Sequence, residues 1–385
     1  MTKDQLTLES PSAPRRTRLQ ELWQLFRENR LAIVGLIIFV LFFITAISGV
    51  ILTSGQKPVF DPAMVRLQEK LFPPLTRPQI ETLQPAEVPT LGIYLFGTDD
   101  LGRDVFSRML QGAWVSLTVG FVAVGISVLV GIFMGGIAGY FGQEYIFLDH
   151  ILITVILTAG AILLFVGSTG PGVVCIVVGH VYILYRIVCR LLSKTSHSGL
   201  QSHGLLHKKA ISIDTLIMRM VDIMLCFPSF FLILTVVALV PASMYNIMIV
   251  IGLTSWMGTT RFVRAEFLSL REQDFVTAAK ALGVGNFRII FRHMMPNAVA
   301  PVLVSATIGI ATAILTEAGL SFLGFGVPPP HATWGNILSD GKRFIFDAPW
   351  LTFIPGIAIL IVVLCFNLFG EGLRDAMNPK LRERG

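Results

Sequence analysis

Charge is scarce in this chain. Of 385 residues, 14% are Asp, Glu, Lys or Arg, while 54% are hydrophobic. A mean hydropathy of +0.72 is too apolar for a water-soluble globule, whose core can hide only part of its side chains. Cysteine is sparse as well. Cys175, Cys189, Cys226 and Cys365 each lie in an apolar stretch and none forms a CxxC pair, which argues against a disulfide framework or a thiolate metal site. There is no GxxxxGK followed by Ser or Thr, so no P-loop is expected. Gly283-x-Gly285 is followed by Arg288 where a dinucleotide fingerprint needs a third glycine, and no strand pattern precedes it. Neither HExxH nor a Cys/His ligand spacing occurs, and Glu, His and Ser do not gather as a nucleophile set would. No cofactor, no metal and no catalytic residue is therefore expected. The net charge of +6 does not point to nucleic acid, because the basic residues sit in short clusters between apolar runs.

Long apolar runs dominate what is present. A membrane-crossing helix needs about 20 apolar residues. Eight runs qualify as candidate spans: Leu31–Leu52, Ser116–Ala138, Ile146–Phe165, Val173–Val188, Leu216–Val240, Tyr245–Met257, Ala298–Leu315 and Leu351–Leu368. Tyr245–Met257 is short, which suits a helix buried by its neighbours. The pattern is that of an all-α integral membrane protein. Residues 1–30 form a polar, basic tail in which Leu19, Leu22, Trp23 and Phe26 recur at helical spacing. They read equally as a surface-lying amphipathic helix or as the polar start of the first span. Some thirty polar residues before the first run are too many for a signal peptide, so that run, residues 31–52, is read as uncleaved. Residues 53–115 are polar and Pro-containing, 116–379 hold the remaining spans, and 380–385 are a short tail.

Lys and Arg orient these segments. The tail carries Arg15, Arg16, Arg18, Arg27 and Arg30. If it lies inside, the basic loops around 193–212 and 258–297 and the C-terminus also fall inside. Both termini are expected in the cytoplasm.

The 258–297 loop is the most informative stretch. Asp274-Phe-Val-Thr277-Ala278-Ala279-Lys280-Ala281-Leu282 holds good helix formers. Gly283 and Gly285 then permit a sharp turn, and a second short helix including Arg288 runs to Pro296, which opens the next span. A small-faced helix ending in a tight turn suits docking in a groove of a soluble partner, although a solvated loop helix has the same pattern. The loop resembles the Glu-Ala-Ala motif of ATP-binding-cassette importer permeases. Ala278, Ala279, Gly283 and Pro296 stand at the matching positions. Thr277 replaces the usual Glu and Met295 the usual Leu, which puts one polar contact of the family in question.

Other segments are similar to the C-type subunit of the peptide/nickel permease group. They are Phe96-Gly97-Thr98-Asp99-Asp100-Leu101-Gly102-Arg103-Asp104-Val105-Phe106-Ser107-Arg108, Val221-Asp222 with Phe227-Pro228-Ser229, Glu317–Gly324, and Trp334-Gly335-Asn336. The resemblance implies a type I importer permease bundle with a six-span core, and a coupling helix that inserts into a nucleotide-binding subunit. It implies as partners a sister permease, two ATP-binding subunits, an extracytoplasmic solute-binding protein and membrane lipid. It implies residence in a bacterial cytoplasmic membrane and di- or oligopeptides, nickel chelates or similar cargo as solutes. The chief departure is residues 143–212. Family members pass almost directly from Gly139-Tyr140-Phe141-Gly142 to the equivalent of Asp214-Thr215-Leu216, so an extra two-helix hairpin at the periphery is expected there, with a re-entrant or surface-lying insert as the rival.

Gly131, Gly135 and Gly139 recur every four residues in the second span and read as close helix packing ahead of solute contact. Pro228 predicts a kink. Arg219 and Asp222, three apart, can pair. Asp99, Arg103 and Asp104 read equally as a contact for a binding protein or outer gate and as a local salt-bridge cluster. Two other function classes compete. An ion-coupled transporter wants ionisable residues at mid-membrane and an internal repeat, and neither is seen. A membrane hydrolase would have to use Asp149, His150 and His180, whose spacing is poor.

Overall fold

The computed structural model of the protein describes residues 18–55, 57–85, 87–142, 144–147 and 209–377, with a few isolated positions between 157 and 180. Apart from these positions and 146–147, the two apolar runs of the 143–212 stretch lie outside the described residues, as do the extreme tails.

Helix α1 (Arg18–Glu28) is amphipathic and short. Its Phe26 is buried against Ala32 and Ala376, while Trp23 stays exposed. Asn29 ends it and caps the next helix, accepting from the Ala32 amide at 3.2 Å. Helix α2 (Arg30–Thr53) is apolar all round, which fits a helix that meets lipid on one side and protein on the other. Ala32, Gly35, Phe42, Ala46 and Gly49 face inward, and Leu31, Ile37, Leu41, Ile44 and Ile51 face out. Helix α3 (Val105–Tyr140) has 36 residues. At about 1.5 Å per residue it spans roughly 54 Å, well beyond a hydrocarbon core of about 30 Å. The sequence placed its start at Ser116. Eleven further residues join because the Asp104 side chain caps the helix at Val105.

The run Leu216–Val240 is not one continuous helix. It divides at Pro228 into α4 (Ile213–Leu225) and α5 (Ser229–Leu239), bent by 80°. Proline removes the amide that would continue the helix and its ring clashes with the preceding turn. Helix α6 (Met244–Arg271) is twice the length of the apolar run Tyr245–Met257. Its second half carries Thr259, Thr260, Arg261 and Arg264, so part of what the sequence assigned to a cytoplasmic loop is helix. Helix α7 (Asp274–Ala281) follows. A π-helical stretch, Ile289–Met294, then leads directly into α8 (Met295–Phe322). The wide π turn precedes Pro296, where an ordinary helix would suffer the proline clash. Helices α9 (Trp334–Gly341) and α10 (Trp350–Met377) complete the bundle.

Among the described residues four helices, α2, α3, α8 and α10, are long and apolar enough to cross a membrane, five if the bent α4–α5 pair is counted as one broken span. The chain is a multi-pass, all-helical membrane protein. One small exception is a two-stranded antiparallel ladder, β1 (Tyr145–Phe147) with β2 (Lys209–Ser212), in which Tyr145 faces Ser212 and Phe147 faces Lys209. The ladder holds the two ends of the intervening stretch side by side at the end of α3.

The main core lies where α2, α3, α8, α9 and α10 meet, around Phe42, Ile310, Ile314, Trp334 and Phe366. Helix α3 runs along α6. A Cβ at Gly131 would fall 2.5 Å from Thr259 Cβ, one at Gly135 2.6 Å from the Thr260 carbonyl oxygen, and one at Gly139 2.5 Å from Phe267 Cβ. These three glycines let the two backbones approach within the reach of a single missing carbon.

Candidate functional site

The stretch from Glu272 to Asn297 forms a compact knob on the end of α6. Val276 and Ala279 are buried in a cluster with Phe267 and Leu270 of α6, Tyr140 of α3, and Ile289, Ile290 and Met294 of the π turn. Apolar burial therefore fuses α7 to α3, α6 and the start of α8. The turn after α7 is a Schellman motif. The Gly283 amide donates to the Lys280 carbonyl at 3.0 Å, and the Val284 amide to the Ala279 carbonyl at 3.1 Å. Gly283 sits at φ +74, the left-handed region that this motif demands. A side chain there would meet nothing within 4 Å, so the requirement is conformational and not spatial; it amounts to about 1 kcal/mol.

Tyr140 fastens the knob to α3. Its hydroxyl donates to Asn286 Oδ1 at 2.8 Å, and the Lys280 ammonium lies 5.2 Å from its ring centroid. Neither partner was singled out from the sequence, because residues 146 positions apart leave no local signal. The outward face of the knob carries an apolar patch among charged and polar residues. Leu282 is 83% and Phe287 75% exposed, and Phe291 and Ala278 are exposed beside them. Thr277 and Arg288 are also exposed. The structure thus separates residues that the sequence grouped. Ala278, Leu282 and Thr277 face out, Ala279 faces the protein's own cluster, Gly283 shapes the turn, and Pro296 begins α8.

On the opposite end of α3, Asp99 and its neighbours form an ion cluster. Asp99 is fully buried. Its Oδ1 accepts from the amides of Leu101 and Arg103, both at 2.9 Å. Its Oδ2 accepts from Arg103 Nε at 2.7 Å and Arg108 Nη1 at 2.5 Å. Both arginines reach Asp340 of α9, at 3.3 Å and 2.9 Å. Four charges from two distant segments thereby neutralise one another, which a buried ion cluster requires. A local salt-bridge cluster is the arrangement present for Asp99 and Arg103. Asp104 stands apart from it: it caps α3, accepting from the amides of Phe106 at 3.2 Å and Ser107 at 3.1 Å. Burial raises its carboxyl above the usual range, against the lowering effect of the Ser107 bonds. Asp100 is likewise raised, first by burial and then by the Asp99 and Asp340 charges. Gly102, at φ +71, allows this loop to pass the Arg66 carbonyl, which a Cβ would strike at 1.8 Å. Arg108 and Asp340 were missed as parts of the cluster, as was Asn336, whose Oδ1 accepts from Arg108 Nη2 at 3.4 Å. Two of them lay in segments already noted for their resemblance, but nothing in the sequence joined those segments.

Along the bundle, Asp222 sits 2.6 Å from Arg261 of α6 and 3.8 Å from Arg219, so the inter-helix pair is the closer one. Asp214 makes a two-bonded pair with Arg264. Glu317 is fully buried inside α8 and accepts from Ser321 Oγ at 2.7 Å.

Residues 207–383 match the family described as binding-protein-dependent transport system inner membrane component, and residues 17–74 match the N-terminal membrane domain of oligopeptide transport permease C. The chain is 36% identical over 380 residues to a dipeptide transport system permease protein of Alkalihalophilus pseudofirmus, covering 99% of this chain and 93% of that protein. It is 33% identical over 368 residues to the corresponding protein of Haemophilus influenzae, covering 96% and 97%. It is 32% identical over 358 residues to an oligopeptide transport system permease protein of Bacillus subtilis, covering 93% and 88%.

Proposed function

Since this chain belongs to the binding-protein-dependent transport system inner membrane components, in their dipeptide and oligopeptide permease group, we propose that it forms half of a peptide pathway driven through the Glu272–Asn297 knob. It is a membrane-spanning permease subunit of an ATP-binding-cassette importer. The finer reading adds two ATP-binding subunits on the cytoplasmic side, a sister permease beside it, and a solute-binding protein outside. Both termini and the knob then lie in the cytoplasm of a bacterial inner membrane, as the basic residues suggest.

The observation that carries the coupling role is the two-sidedness of α7. Its inner face, Val276 and Ala279, is fused to the ends of α3, α6 and α8. Just beyond its end, the outer surface of the knob presents Leu282 at 83% exposure and Phe287, packed on Phe291, at 75%. An exposed apolar knob of this kind calls for a groove on another protein. ATP-driven closure of a motor holding that knob displaces α7, and the shared cluster passes the displacement to three helices as one body. Two helix arrangements that differ in their contact with the motor are what a driven switch requires.

The test is affinity purification of the tagged permease with its genetic neighbours, followed by peptide uptake. We expect two ATP-binding subunits and a second permease to co-purify. Leu282→Arg places a charge on the outward face without touching the inner cluster. It is expected to release the ATP-binding subunits and abolish uptake while the permease stays in the membrane. Retention of both by this variant would remove the docking role.

A further inference from the structure

The three helices that the knob ties together, α3, α6 and α8, also line an open cavity of about 240 Å³. No charged and no aromatic side chain lines it, yet it is not apolar, because serines and threonines of all three helices face it. Three of these hydroxyls have a fixed direction. Ser255 Oγ donates to the Ile251 carbonyl at 2.7 Å, Thr312 Oγ1 to the Ile308 carbonyl at 3.1 Å, and Thr316 Oγ1 to the Thr312 carbonyl at 2.8 Å. A hydroxyl has one hydrogen and two lone pairs. With the hydrogen committed to its own helix, each oxygen has only lone pairs left to offer. At these three positions the wall accepts hydrogen bonds and suits ammonium and amide N–H groups; Ser127, Thr259 and Ser305 line it as well. Gly258 adds open space: a Cβ on it would meet nothing within 4 Å.

We propose that this cavity is the solute-contacting wall of the subunit, and that Ser255, Thr312 and Thr316 accept hydrogen bonds from the terminal ammonium and main-chain N–H groups of a short peptide. The inference rests on the permease reading above and adds to it a location and a chemistry. A self-sufficient ligand pocket runs to roughly 300–1,000 Å³. The smaller volume here fits one wall of a site that a second subunit completes. Because the wall is uncharged, it meets what all peptides share and leaves their side chains unread. Its position also explains how it is emptied. The walls are the helices whose ends are bound to α7, so displacement of α7 changes their separation and with it the fit of the bound main chain.

The experiment uses the whole transporter, with its ATP-binding subunits, sister permease and binding protein, reconstituted in liposomes and supplied with radiolabelled dialanine. Wild type is expected to accumulate dialanine on addition of ATP. Gly258→Leu fills the cavity with a better helix former than glycine, and is expected to assemble fully and reduce uptake to background. The double variant Ser255→Ala with Thr312→Val removes two acceptors at nearly constant volume and is expected to lower uptake about tenfold. An assembled Gly258→Leu complex that transports at the wild-type rate overturns the proposal. If that variant fails to assemble, the double variant decides, and unchanged uptake by it has the same force. Failure of the wild type itself to take up dialanine, with its ATPase active, instead overturns the peptide reading and this proposal together.

Discussion

Asp104 has two roles that oppose each other. Its carboxylate caps α3 by accepting from Phe106 and Ser107, and a charged acceptor serves this well. It is also buried, and burial disfavours the charge, so its carboxyl titrates above the ordinary 3.8. The folded protein thus holds this proton more tightly than the unfolded chain does. The resulting stability is fully present below the ordinary value and is lost as pH rises through the raised one. Asp104→Asn keeps a good cap and removes the charge. In thermal melts of detergent-solubilised protein it is expected to match wild type near pH 4 and to equal or exceed it near pH 7. Asp104→Ala loses the cap at both, at a cost of about 1 kcal/mol. A wild type that outlasts the Asn variant at neutral pH would contradict this account. At this scale the sequence was legible in part. Glycine at 102 and 283 marked turns, because few other residues adopt their backbone. The separation of Asp104 from Asp99 and Arg103 was not legible, because Asp99 is claimed by a cluster that includes Asp340, 232 positions beyond Arg108.

Between elements, backbone proximity decides more than charge. The four-residue spacing of Gly131, Gly135 and Gly139 announced that some helix would come close to α3, but not that it would be α6. The partner was hidden because α6 itself was only half visible. After Met257 the apolar run ends, yet the helix continues, since Arg264 and Arg261 find Asp214 and Asp222 on α4 and the threonines lie against the glycine face. Pro228 announced a kink, and the helix breaks there by 80°. Gly135→Leu tests the close approach. Its side chain would meet the Thr260 carbonyl at 2.6 Å and Val263 at 2.8 Å before reaching any space. Overpacking of this kind costs about 1–3 kcal/mol. The expected result is a lower melting temperature and less protein in the membrane. Gly125→Leu, where nothing lies within 4 Å, serves as the control and is expected to melt like wild type. Equal losses from both would deny the glycine face its role.

For the molecule as a whole, hydropathy made the class legible because lipid-facing helices need no polar side. The polar half of α6 was not legible, because protein neighbours, not lipid, satisfy it. The β1–β2 ladder has the widest reach. Phe147 and Lys209 are partners across it, so the two ends flanking residues 148–208 are held side by side as one narrow doorway. Replacing residues 148–208 with an Asn-Gly turn closes that doorway with the loop that such a ladder prefers. The shortened protein is expected to reach the membrane, to co-purify with its partners and to retain peptide uptake. Loss of assembly would show that the stretch braces the bundle.

Whatever the outcome, the cost of chain length at such a point is small. The two flanking residues are already held as neighbours, and the entropy of closing a loop between them grows only with the logarithm of its length. Chain entropy at this point therefore sets little limit on the length of the stretch between them, so length variation among relatives is expected to concentrate there.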